Sequence, residues 1–397
     1  MKRYFLFLFL FGISTGIFGQ KPKIDAKNFV EEIPYEFVNG RIIVPVQING
    51  HDYRFFLNTG GTFVVSTALQ EKLQPKKVGM SRVMGVNDIP MDMQVVRIDE
   101  LKLGEVAFKN FRALVLPNPY PMACFDVDGI IGKDFLYELT LHFDHAAKQI
   151  TFTDDFDLLN KEVGNSQEIT YDYITGLPSV NIKINENIEG SVVFDTGSDH
   201  LISLQREVLE KLREKNKIKR DNIYRIYGSI DTGLTGRLAP AANNYYIYVD
   251  EMQLAGSTLT DFVTDVSKES DSRMGTGMIK NGLVTIDYKQ RRFYFKPTVT
   301  STDYKVSIPP YGFVVRSKEA EFFVSATLAG SNAKKAGLRV DDRLISINGY
   351  DYTDFTVIDR CDAYLNGYPW EKDRKIKMVV MRAGREMTFE FTVGVSN

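Results

Sequence analysis

A turn that occurs twice constrains this chain more than any other feature. Arg54-Phe55-Phe56-Leu57 runs into Asn58-Thr59-Gly60-Gly61 and then into Phe63-Val64-Val65-Ser66. In the second half, Ser191-Val192-Val193-Phe194 runs into Asp195-Thr196-Gly197-Ser198 and then into Leu201-Ile202-Ser203. Each copy is an apolar strand, a polar Asx-Thr-Gly turn and a second apolar strand, which predicts β structure around a fixed turn. The likeness continues in the same order. Leu69-Gln70-Glu71-Lys72-Leu73 parallels Val208-Leu209-Glu210-Lys211-Leu212, and Leu101 to Gly104 parallels Met252 to Gly256. Gly129-Ile130-Ile131-Gly132-Lys133-Asp134-Phe135-Leu136 leads to a strand with Asp144, and Gly275-Thr276-Gly277-Met278-Ile279-Lys280 leads to one with Asp287. Repeated order of this kind is the mark of duplication. It divides most of the chain into two β-rich halves, about 30–155 and 168–297.

A carboxylate on a tight glycine turn between apolar strands is held at fixed depth and partly desolvated, which suits acid and base chemistry. One Asp-Thr-Gly alone is weak evidence. Asp231-Thr232-Gly233 has no apolar strand leading into it and is read as a hairpin tip. The paired turns differ, because both flanking strands and a later glycine-bearing segment recur with them. On those residues, 30–297 resembles the single-chain aspartic peptidases of the pepsin and retropepsin superfamily. The resemblance implies a mainly β, two-lobed acid-protease fold with a pseudo-twofold axis, and an endopeptidase site with one Asp from each lobe sharing a proton. It also implies that Thr59 and Thr196 brace the two turns, that Gly60 and Gly197 leave room for water and substrate, and that the segments after Gly129 and Met274 cross beneath the turns.

The departure from that pattern is Asn58, which stands where the family has an Asp. An amide donates and accepts hydrogen bonds but cannot exchange the shared proton. General acid and base assistance is commonly worth about 10²- to 10⁴-fold, so turnover by this site is expected to be weak or lost. Asn58 is open to three readings: natural loss of activity, an introduced inactivating change, or residual catalysis by Asp195 alone.

The third region, about 300–397, follows a linker near Thr298. It contains Tyr311-Gly312-Phe313-Val314-Val315, then Ser331-Asn332-Ala333-Lys334-Lys335-Ala336-Gly337-Leu338, then Leu344-Ile345-Ser346-Ile347-Asn348-Gly349, and a helical stretch from Asp354 to Leu365. In this order the runs are similar to a PDZ domain. That similarity implies that the Tyr311-Gly312-Phe313 loop offers N–H groups to a peptide C-terminal carboxylate, with Phe313, Val315 and the helix lining the side-chain pocket and the strand pairing with the peptide.

Composition narrows the alternatives. Hydrophobic residues make up 44% of the 397 and charged residues 25%, which excludes disorder as the main state. Lys and Arg number 49 against 51 Asp and Glu, a net charge of −2, so no overall basic field draws nucleic acid or an anionic membrane. The basic run from Lys211 to Lys219 reads as a solvated helix face and its loop. No metal or cofactor is expected. His142 and His145 fall on opposite faces of a strand, and no dinucleotide loop, P-loop or nucleophile elbow is present.

Met1-Lys2-Arg3 followed by the uncharged apolar run Tyr4 to Phe18 predicts a signal peptide over 1–19, export to a periplasm or the exterior, and no stable membrane span afterwards. Cys124 and Cys361 are expected in separate domains and unpaired. Three functions remain: a peptide-binding protein with impaired hydrolysis, an active endopeptidase using Asp195, and a PDZ adaptor with the lobes as scaffold.

Overall fold

The computed structural model describes residues 21–84, 90–116, 122–171, 176–185, 188–230, 238–267, 271–298, 310–318 and 321–394. The predicted signal segment, residues 85–89 and 117–121, Asp231-Thr232-Gly233 and most of the predicted linker lie outside them. Among the described residues, no helix is long and apolar enough to cross a membrane.

The duplication is visible in a six-stranded sheet that joins the lobes. Its order runs Asn165–Glu168, Arg292–Pro297, Gly282–Asp287, Thr140–Asp144, Gln149–Thr153, Val30–Pro34. Each lobe supplies three strands, and the antiparallel central pair sets His142 opposite Thr285 and Leu141 opposite Ile286. Leu141, Phe143, Val284, Ile286, Phe293 and Phe295 are buried there, so the junction belongs to the main core.

Within each lobe a short strand threads between the two strands that flank the turn. Gly129–Ile131 lies parallel to His51–Leu57 and antiparallel to Val64–Ser66. Ser272–Met274 lies in the same way beside Ile188–Phe194 and Ile202–Gln205. Only glycine fits at the crossing. A β-carbon on Gly129 would lie 2.3 Å from the Val64 carbonyl oxygen, and one on Gly275 would lie 2.3 Å from that of Ser198.

The helices are short and follow their local signals. Ser66 caps Thr67–Leu73 by accepting from the Leu69 amide, and Arg206–Glu214 buries Val208, Leu209 and Leu212 while Lys211 and Arg213 face solvent.

The C-terminal domain has its own core, including Phe313, Val324, Leu344, Ile347, Trp370 and Met378. Its helix Val357–Asn366 starts one turn later than the sequence suggests, because Thr356 and Asp359 form a capping box. The domain is not a detached tail. The lobe-2 strand Ile223–Gly228 pairs antiparallel with Glu321–Leu328, so one sheet runs through both.

Cys124 and Cys361 form a disulfide across 237 residues of chain, which corrects the expectation that they stay apart. The two cysteines do sit in different domains. The helix bearing Cys361 folds back onto the 3₁₀ turn Met122–Phe125 of lobe 1, and that docking brings them together.

Candidate active site

The two turns meet at the junction of the lobes through their threonines. Thr59 Oγ1 donates to the Phe194 carbonyl (3.0 Å) and accepts from the Thr196 amide (3.0 Å). Thr196 Oγ1 donates to the Leu57 carbonyl (2.7 Å) and accepts from the Thr59 amide (3.1 Å). Thr59 is 0% and Thr196 1% exposed, so these four bonds lie out of water and fix the turns on each other.

The backbones around the turns match bond for bond. Asn58 N–H donates to Ile131 O (2.9 Å), and Asp195 N–H donates to Met274 O (2.8 Å). Gly60 N–H donates to Asn58 Oδ1 (3.0 Å), and Gly197 N–H donates to Asp195 Oδ1 (2.8 Å). Each glycine also faces the other turn's side chain. A β-carbon on Gly60 would lie 2.2 Å from Asp195 Cγ, and one on Gly197 would lie 2.6 Å from Asn58 Nδ2. All six residues singled out around the paired turns therefore converge at one place, with Asn58 half-buried and Asp195 5% exposed.

One residue of this site escaped sequence reasoning. Arg273 Nη1 donates to Asp195 Oδ2 at 3.0 Å, an ion pair whose guanidinium is 25% exposed and whose carboxylate is 7% exposed. Ile130 pairs with Phe56 in lobe 1 as Arg273 pairs with Val193 in lobe 2, so the two are counterparts. Ile130 is buried in an apolar cluster with Phe56, Val64 and Phe125. The available signal was an arginine at an apolar position of the repeat, inside Ser272-Arg273-Met274-Gly275 against Gly129-Ile130-Ile131-Gly132. The lobes also differ in what supports the turn. Asp134 accepts from the Thr62 hydroxyl (2.8 Å) and the Phe63 amide (2.9 Å), and burial raises its carboxyl above the usual range. Lobe 2 has Gly277 at that place, with its amide on the His200 carbonyl.

A pair of carboxylates can share a proton, so that one activates water while the other protonates the scissile carbonyl. Here Arg273 occupies Oδ2 of Asp195, and Asn58 can offer only amide hydrogen bonds. The arrangement can hold a carbonyl or a water but lacks a proton donor opposite Asp195.

The predicted peptide-binding residues of the C-terminal domain are placed less openly. Gly312, Phe313 and Val315 are buried and Tyr311 is half-buried. The Phe313 ring stacks on Trp370 at 5.5 Å, and Tyr311 meets Trp370 edge-on at 5.0 Å. The Gly312 carbonyl accepts from Leu328 N–H and Ser331 Oγ. Among the described residues, the strand Phe313–Lys318 pairs only with Glu321–Leu328, which leaves it an edge strand. His142 and His145 stay apart in function. His142 bonds Thr285 Oγ1 (2.8 Å), and His145 bonds the Tyr35 hydroxyl (3.0 Å).

Residues 44–135 match the Aspartyl protease family, and residues 304–366 match the PDZ domain family. No curated protein matches the chain in sequence. Among solved structures, Basic 7S globulin from soybean is similar with a TM-score of 0.41 and 12% identity, over 68% of this chain and 94% of that one. The aspartic proteinase from Irpex lacteus is similar with a TM-score of 0.43 and 11% identity, over 69% of this chain and 99% of that one. The threaded strands and crossed threonines repeat in the second lobe the pattern of the matched first lobe, so the chain carries an aspartic-protease-like region followed by a C-terminal region that matches a PDZ domain.

Proposed function

We propose that this protein is exported and binds extended polypeptides between its lobes without hydrolysing them efficiently. One observation carries the reading: Asp195, the remaining carboxylate of the pair, is ion-paired to Arg273 and has Asn58 as its counterpart on the other turn, each side chain lying against the other turn's glycine. The scaffold that positions a substrate is retained, while the proton exchange that would cleave it is not. Export is supported by the Met1 to Gly19 pattern and by the Cys124–Cys361 pair, since disulfides persist in oxidising compartments. Among the described residues Phe313–Lys318 pairs only with Glu321–Leu328, and that edge supports peptide capture by strand addition at the PDZ domain.

The test uses a peptide library incubated with the unchanged protein and with Asp195→Ala from acid to mildly alkaline pH. The unchanged protein is expected to bind peptides and leave them intact. Cleavage by the unchanged protein that Asp195→Ala abolishes overturns the reading in favour of an active endopeptidase. At the PDZ domain, binding of free C-terminal peptides should weaken when the terminus is amidated; indifference to amidation removes carboxylate capture.

A further inference from the structure

The PDZ domain is fastened to both lobes, by bonds of different kinds. On lobe 2 the attachment is a strand ladder, Ile226 opposite Leu328, Tyr227 opposite Thr327 and Gly228 opposite Ala326. Ser229 N–H to Ser325 O and Ala329 N–H to Arg225 O, both 2.8 Å, extend it. Ile226, Ile230, Ala326 and Leu328 form a buried cluster over the same seam. A ladder covered by apolar side chains persists on its own.

On lobe 1 the attachment is thinner. Tyr364 and Leu365 of the helix Val357–Asn366 are only half-buried against lobe 1, and Asn39 Nδ2 donates to the Tyr364 carbonyl at 3.0 Å. The covalent part is the Cys124–Cys361 bond, whose two residues are both partly exposed.

This thinner contact reaches the site. The Tyr364 ring meets Phe125 edge-on at 5.9 Å, and Phe125 meets Phe56 edge-on at 4.9 Å. Phe56 stands two residues before Asn58. Next to Asn39, the Gly40 carbonyl accepts from Thr276 Oγ1 at 2.7 Å, and Gly40 packs so closely on Asp199 that a β-carbon would lie 2.4 Å from its Cβ. The Asn39-Gly40 turn thus lies between the PDZ helix and the Asp199 and Thr276 segments beside the Asp195 turn.

We propose that the PDZ domain is a redox-controlled clamp on the cleft. With the disulfide closed, the helix Val357–Asn366 is held on the lobe-1 wall while the ladder holds the domain to lobe 2, and the lobes are fixed at one separation. A dithiol reductant opens the clamp. It passes two electrons and two protons to Cys124 and Cys361, the S–S bond breaks to two thiols, and the dithiol becomes a disulfide. The helix then loses its covalent tie and leaves lobe 1, where Tyr364 and Leu365 are half-buried, while the ladder keeps the domain on the chain. The clamp stands on these contacts; its effect on a ligand rests on reading the cleft as a peptide groove.

The experiment uses the full-length protein, oxidised and then treated with dithiothreitol under native conditions, beside Cys124→Ser and Cys361→Ser. Hydrogen exchange is followed by mass spectrometry. Reduction should speed exchange in Val357–Asn366 and Met122–Phe125 by about tenfold or more, with Ile223–Gly228 and Glu321–Leu328 unchanged. Both serine variants should match the reduced protein and ignore dithiothreitol. Unchanged exchange in the helix, or equal loosening of the ladder, overturns the clamp, the second because it marks a general loss of stability. The reduced unchanged protein serves if a variant does not fold. Binding of a fixed mixed-sequence decapeptide library, read in parallel by fluorescence, should rise severalfold on reduction. Helix release with peptide binding absent in both states leaves the clamp and overturns the peptide reading, so the two fail separately.

Discussion

The Asn58 turn and the Asp195 turn have almost the same skeleton and opposite chemical capacity. Both are anchored by an amide bond to the threaded strand, both close on their own side chain through a glycine amide, and both are tied to the other by a buried threonine. Of the side chains in which they differ, two bear on the charge at the axis, Asn58 against Asp195 and Ile130 against Arg273. The skeleton uses bonds that asparagine can make as well as aspartate can, so nothing in the folding of the site requires a carboxylate at position 58. Geometry therefore outlasts chemistry here, and the second difference reinforces the first. Arg273 compensates the single negative charge left at the axis, which a second carboxylate would otherwise share through a proton.

The sharpest way to break this comparison is to make the two turns chemically alike. Asn58→Asp alone should restore little cleavage, because Arg273 still occupies Asp195 Oδ2, an oxygen the shared-proton arrangement needs. Asn58→Asp with Arg273→Ile, which copies the lobe-1 side chain into lobe 2, should raise cleavage of a peptide library by about 10²- to 10⁴-fold over the unchanged protein. Full activity from Asn58→Asp alone would show that the ion pair is incidental.

A second asymmetry lies at the axis, in the sheet that joins the lobes. If Asp144 is matched to Asp287, His142 and Thr285 are counterparts, and they are hydrogen-bonded across the central pair. Burial pushes the His142 imidazole down to about 4 from an ordinary 6.5. A histidine that is neutral in the fold and protonated in the unfolded chain contributes stability above the unfolded value. That contribution declines as pH falls from 6.5 and is gone below about 4. The loss should be about 3 kcal/mol over that window, read from urea midpoints at successive pH values. His145, also lowered to about 4 by burial with help from Lys148, is more exposed and should contribute much less. His142→Gln should flatten the pH dependence. An undiminished slope in that variant would place the acid sensitivity elsewhere.

Much of this was legible in the sequence, and the exceptions share a cause. The paired turns, their threonines and glycines, and the threaded segments could be read because each is a local pattern that occurs twice. A helix over about 204–219 could also be read, and it forms over Arg206–Glu214, while the apolar run Phe313-Val314-Val315 lies in a strand. Arg273 was passed over because the repeat was aligned on its apolar and glycine positions, where an arginine looks like noise. The Cys124–Cys361 pair and the ladder between Ile223–Gly228 and Glu321–Leu328 were not legible at all. Both depend on how one finished domain docks on another, and a strand edge or a half-buried cysteine leaves no periodic mark. The burial of Phe313 has a similar origin, since its partner Trp370 comes from a 3₁₀ turn beyond the helix.

The smallest expected effect tests the skeleton itself, where the turns should prove equivalent. Thr59→Val keeps the shape of the side chain but removes one donor and one acceptor, leaving the Thr196 amide and the Phe194 carbonyl unpaired. Thr196→Val does the same to the Thr59 amide and the Leu57 carbonyl. Each should cost about 2 kcal/mol, since a buried polar group without a partner costs about 1 to 3. Because the two bond sets mirror each other, the two losses should agree within about 0.5 kcal/mol by chemical denaturation. A clear inequality would mean that one lobe carries the axis and the other follows it. In that case the side-chain differences at positions 58 and 130 would have reached the backbone, and the matched amide bonds around Asn58 and Asp195 would be alike in length but not in energy.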